Sequence, residues 1–264
     1  MNVSTADISI LLPALAAGVL VTATHVPLGT QVLARGIVFI DLAIAQIAGC
    51  GVLLADRVGF EPEGIAVQIA ALAAALAGSL LLTWSERNWP DVQEATIGVV
   101  FVLAATGSVL LLASNVHGSE HLRDLLVGQI LWVQPARLGW AAGVYAAVLA
   151  LWFGVRERLG RTGFYVLFAL TVTISVQLVG LYLVFATLII APLGTRRMAR
   201  HRLAAAWAIG FVGYATGLVL STTLDLPTGP VIVWTLAAFA LGWDLATAAK
   251  RGGVVVPSER PAAR

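Results

Sequence analysis

Residues 164–194 run for 31 positions without a charged side chain. Seven further apolar runs, at 8–26, 32–54, 64–84, 95–114, 136–155, 203–222 and 230–249, are set apart by charges or Gly/Pro clusters. A helix that crosses the hydrocarbon core of a bilayer needs about 20 such residues. A water-soluble domain of 264 residues with this pattern would expose more apolar surface than stays dispersed. The chain is 59% apolar and 11% charged, against roughly 45–50% and 25% in soluble domains. A soluble enzyme, a nucleic-acid binder and a disordered protein are excluded. What remains is an all-α, polytopic membrane bundle of about eight or nine transmembrane helices, since lipid leaves no partner for unpaired backbone groups. Residues 1–249 read as one transmembrane domain and 250–264 as a cytoplasmic tail. Asp7, with no basic start before the first run, favours a first transmembrane helix over a cleaved signal. Residues 125–133 are apolar but too short to cross, which predicts a re-entrant or interfacial segment.

Charge decides how often 164–194 crosses. Arg156, Arg158 and Arg161 precede it, and Arg196, Arg197, Arg200 and Arg202 follow it. Cationic loops favour the cytoplasm. Two crossings, one of them short and bent near Gly180 or Pro192, keep both clusters on that side. The chain then makes nine crossings, with its first residues outside. Thirteen of the 16 basic residues fall inside, and Arg57, Arg123 and Arg137 fall outside. Helices in lipid meet through small residues. Gly139/Gly143 and Gly213/Gly217 have that spacing, for packing within the bundle or for a dimer seam.

Few residues can carry chemistry. Lys250 is the one lysine, and Arg251 follows it, so the chain has no phosphate-binding P-loop. Cys50 lies in an apolar run and reads as a buried hydrophobe. The acidic residues inside the spans are Asp41 and Asp244. Asp244, near Lys250, reads as a carboxylate at the membrane surface. Asp41 lies six positions after Arg35, which on one continuous helix is a rise of about 9 Å. A carboxylate at that depth costs at least about 2.5 kcal/mol unless paired or wet. Asp41 therefore lines a pathway or is held by a structural partner such as Arg35. His117 and His121, at i and i+4, suit a divalent ion if helical, or belong to a hydrated external loop. His25 and His201 read as membrane-edge residues. The cytoplasmic segment 154–163, Gly-Val-Arg-Glu-Arg-Leu-Gly-Arg-Thr-Gly, is a positive-inside anchor or a docking element.

Four segments together resemble the membrane subunit of bacterial ABC importers for zinc, manganese and related divalent metals. Arg35 and Phe39 match a pattern before that family's intramembrane site, and Gly51 and Val52 match the Gly-Val after it. Glu94 and Ile97-Gly98-Val99-Val100-Phe101 match an acidic start and an Ile-Gly-x-x-Phe helix. Gly180-Leu181-Tyr182-Leu183-Val184, continuing through Leu188-Ile189-Ile190-Ala191-Pro192 to Arg196, matches a third run. Ser221, Asp225, Pro227 and Gly229 match the lead into the last helix.

The resemblance implies a permease of the larger ABC importer type, multi-pass in the bacterial inner membrane. It implies a homodimer or pseudo-dimer, two ATPase subunits that bind the ATP, an external metal-binding protein, and a divalent metal as cargo. The chain itself would bind no cofactor and perform no catalysis. Residues Arg156, Glu157, Arg158, Leu159 and Gly160 would form the ATPase-coupling segment, although the loop is shorter than the family's and lacks its acidic start. Asp225, His117 and His121 would lie near the external docking surface. Similar sequences carry an Asp and a His at i and i+4 as metal ligands. Here Gln46 takes the His position and Asp41 falls one residue early, so a harder ion or a different substrate fits as well as zinc. A secondary transporter would need paired intramembrane charges or two similar halves, and an intramembrane enzyme a Ser–His or two-Asp pair within the spans; neither is visible.

Overall fold

The computed structural model describes residues 5–61, 64–112 and 130–252, and all regular structure within them is helical. α1 (Thr5–Arg35), α2 (Ile40–Arg57), α3 (Ile65–Asn88) and α4 (Gln93–Leu112) come first. A 45-residue stretch, Pro135–Val179, follows; non-helical backbone at Val155 and Gly160 divides it. Its parts are α5 (Pro135–Val155) and α6 (Arg158–Val179). α7 (Leu181–Gly194), α8 (Arg202–Leu224) and α9 (Thr228–Gly252) complete the chain. By length and composition, α1, α3, α5, α6, α8 and α9 can each cross a membrane. With α2, α4 and α7 the described helices number nine, as expected. Of the segment 125–133, only the 3-10 turn Ile130–Trp132 lies within the described residues. His117 and His121 lie outside them.

Two turns order the bundle. α6 and α7 meet at Gly180, with φ 86° and ψ 160°, a conformation open essentially to glycine alone. Residues 164–194 thus reverse direction once, and both arginine clusters share one face. α7 has 14 residues, about 21 Å of helix, so the Gly180 turn is sunk below the outer surface. α1 and α2 meet at Gly36, φ 69°, followed by Ile37–Phe39. This corrects the span boundaries at 26 and 32. Arg35 ends α1 and does not begin the next helix. Pro27 lies inside α1 without ending it. A proline cannot bond the carbonyl four residues back. Here the freed carbonyl of Ala23 accepts the Trp207 indole N–H from α8 at 3.3 Å.

The two glycine pairs have opposite fates. A Cβ at Gly217 would sit 2.7 Å from the Ile232 Cα, and one at Gly213 would sit 2.6 Å from Leu236. α8 and α9 therefore touch backbone to backbone, and the Thr235 hydroxyl donates to the Gly213 carbonyl at 2.8 Å. Gly139 and Gly143 meet nothing within 4 Å, so they do not pack inside the bundle of a single chain. Exposed Trp84 and Trp89 lie at the α3–α4 junction, and exposed Trp132, Trp140 and Trp234 lie just before α5 and in the first two turns of α5 and α9. That is the aromatic belt of a membrane protein.

Candidate functional site

The α1–α2 turn sets Asp41 as the second residue of α2, not a residue six positions into a helix that begins before Arg35. Its depth is therefore less than the sequence spacing implied. Its burial is greater: Asp41 is 0% exposed, and neither carboxylate oxygen has a hydrogen-bond partner in good geometry. The nearest donors are the first-turn N–H groups of Leu42 and Asp41 itself. A helix N-terminus offsets part of the cost of a buried carboxylate, by about 0.3–2 kcal/mol. That is less than the penalty of a charge held in the membrane, so the helix N-terminus alone does not compensate an ionised Asp41. Arg35 does not pair with it. Its guanidinium lies 4.0 Å from the Glu86 carboxylate and 4.5 Å from the centre of the Phe164 ring.

Glu94, in the first turn of α4, reaches the same turn. The N–H groups of Phe39 and Val38 face its carboxylate. Burial pushes the Glu94 carboxyl above the usual carboxylate range, and those two N–H groups pull it partly back.

Gln46 lines a cavity of about 30 Å³ with Ser108, Thr173, Gln177 and the first residue of α7, Leu181. That is room for about one water. Asp41 is not among its lining residues. Every polar side chain in the cavity wall offers an oxygen, from an amide or a hydroxyl. The interrupted backbone at Gly180 adjoins it, as expected where irregular backbone meets a cavity inside a membrane. Among the described residues, no three of His, Cys, Asp and Glu are grouped to hold a metal ion.

Arg156 to Leu159 form one helical turn between the breaks at Val155 and Gly160. Arg158 is exposed, and Leu159 packs on the core and over Gly163. Gly160 has φ 59° and ψ −159°, open essentially to glycine alone, and nothing lies where its Cβ would be. Asp225 is exposed and left-handed, φ 52°, and it ends α8. Its own N–H and that of Leu226 both return to the Ser221 carbonyl, the latter at 3.0 Å. The Ser221-to-Pro227 motif is thus a helix stop. Asp244 is ion-paired, at 3.3 Å to Arg196 and 3.1 Å to Arg197, and does not stand free at the surface. His25 is corrected outright. It is fully buried within α1, with its Nδ1 2.9 Å from the Val21 carbonyl. His201 is exposed just before α8, as expected.

A family model described as the ABC 3 transport family matches residues 7–160 and 148–245. The chain is similar to the manganese import system permease protein ScaB of Streptococcus parasanguinis, 26% identical over 88% of this chain and 87% of that protein. It is also similar to the high-affinity zinc uptake system membrane protein ZnuB of Haemophilus influenzae, 25% identical over 85% and 92%. A solved structure, PsaBC from Streptococcus pneumoniae in complex with Fab, shares the fold. Its TM-score is 0.71 at 22% identity, over 89% of this chain and 90% of that one.

Proposed function

Since the chain belongs to the ABC 3 transport family, we propose that it is the multi-pass permease subunit of an importer of divalent metal ions in the inner membrane. A permease of this family works with ATPase and substrate-binding partner subunits. The finer reading is a homodimer of this chain, served by two ATPases that bind the ATP and by an external metal-binding protein. The chain provides the path and performs no catalysis.

The observation that carries the reading is Asp41, fully buried with both oxygens unpartnered. A cation crossing the cytoplasmic end of α2 would supply the missing charge. The names of the relatives, which cover manganese, zinc and iron, support a divalent cargo. The oxygen-bearing wall around Gln46 favours a hard ion such as manganese(II) over one that seeks imidazole or thiolate.

The test is uptake of manganese(II), zinc(II) and iron(II) by vesicles holding the complete transporter. Asp41→Asn should leave assembly intact. It removes a charged ligand worth about 1.5–3 kcal/mol, so uptake should fall roughly ten- to a hundredfold. Unchanged uptake removes Asp41 from the path. A wild-type complex whose ATPase responds to none of the three metals points to a non-metal substrate.

A further inference from the structure

We propose that Glu86 is a positioning residue that carries movement of the α5–α6 turn to the α1–α2 turn, and through it to Asp41. This rests on the reading of Arg156–Gly160 as the ATPase contact.

Glu86 sits near the cytoplasmic end of α3, and its side chain is 15% exposed. Its carboxylate faces two guanidinium groups from different helices. Arg35, the last residue of α1, approaches to 4.0 Å. Arg161, directly after the Gly160 break, approaches to 3.9 Å. The Tyr165 hydroxyl, one turn further along α6, also lies against it. Beside it, Arg87 donates to the Thr162 hydroxyl at 2.8 Å. Residues 161–165 of α6 are therefore tied to the end of α3 at three points.

The same turn of α6 also grips α1. Phe164 presents its ring face to Arg35 at 4.5 Å. Arg35 is followed at once by Gly36, φ 69°, where a Cβ would meet nothing. Asp41 comes five residues after that. A displacement at Gly160 thus reaches Arg35 through Phe164 and Glu86, and the Gly36 joint lets the turn answer without bending α1.

The distances say what kind of link this is. The 3.9 Å contact to Arg161, 56% exposed, adds little to stability; the 4.0 Å contact to Arg35, 20% exposed, is shielded from water but too long for a hydrogen bond. They do hold two cations from different helices, Arg35 and Arg161, on one anion. With that anion gone, the two repel. A residue whose contacts are long, shared between two helices and charge-dependent acts on position more than on folding.

The experiment uses the complete transporter in vesicles, measuring manganese(II) taken up per ATP hydrolysed. Glu86→Gln should keep ATP hydrolysis within about twofold of wild type while uptake per ATP falls roughly fivefold or more. Glu86→Asp, which restores the charge, should recover part of the ratio. Arg161→Gln, at a side chain 56% exposed, should lower it less and does not threaten folding. A wild-type ratio in Glu86→Gln overturns the proposal. If that variant fails to assemble, Arg161→Gln decides, and an unchanged ratio there overturns it equally. A wild-type chain that binds no ATPase overturns the reading beneath it instead.

Discussion

Asp244 and Glu86 are both largely buried acidic residues, and each is shared by two arginines. Asp244 holds Arg196 at 3.3 Å and Arg197 at 3.1 Å. Those arginines are neighbours in the chain, directly after α7. The pair closes one junction, between the end of α7 and α9, where Gly194 already lies against Ala240. Glu86 holds its arginines at 3.9 and 4.0 Å, and they come from α1 and α6. Short contacts to one segment make a clamp. Long contacts to two segments make a joint. Removing the first should cost stability and spare the coupling of hydrolysis to uptake. Disturbing the second should do the reverse.

The sharpest further probe of the joint is Gly160→Ala. Its φ of 59° with ψ −159° would impose roughly 1–3 kcal/mol of backbone strain on any other residue. No neighbour blocks a methyl group there, so the strain is relieved by turning the start of α6. Arg161 and Phe164 move away from Glu86 and Arg35, while Asp244 is untouched. Uptake per ATP should fall several-fold, with the fold intact by circular dichroism. A fall in thermal stability with an unchanged ratio would place Gly160 with the clamp.

Asp244→Asn tests the other side. The arginines are 44% exposed, so solvent screening leaves the pair worth about 1 kcal/mol. The thermal midpoint in detergent should drop by roughly 2–4 °C, and uptake per ATP should match wild type. A lowered ratio at equal stability would erase the distinction between the two carboxylates.

How far this was legible in the sequence depends on the range of each signal. The reversal within 164–194 was readable because an uncharged run with Gly180 inside it lies between two arginine clusters. The α1–α2 turn was not, because Ile37, Val38 and Phe39 continue the apolar run and only Gly36 marks the break. That hid the true place of Asp41. Pro27 and Gly29 suggested that the first helix stops early, and so put His25 at an edge. The indole of Trp207, 184 positions from Ala23, is what lets α1 continue. Glu86 was missed for a similar reason, since Arg161 lies 75 positions away. A signal existed nonetheless: a glutamate beside Arg87, on the face that gathers most of the cations, needs a reason to be there.

Salt gives the smallest effect and the cleanest separation. The screening length falls from about 10 Å at 0.1 M to about 3 Å at 1 M. The 3.9 Å pair, with an arginine 56% exposed, lies at the edge of that shorter length, whereas the 3.1 Å contact of Asp244 lies at closest approach. Between those salt concentrations, wild-type uptake per ATP should decline by less than about twofold, with the thermal midpoint almost constant. The decisive comparison is with Glu86→Gln, where no carboxylate is left to screen. If salt lowers the ratio in that variant as much as in wild type, the sensitive charges lie elsewhere, for example at the ATPase contact of Arg158. If the variant is insensitive, the salt effect belongs to Arg35 and Arg161 at Glu86.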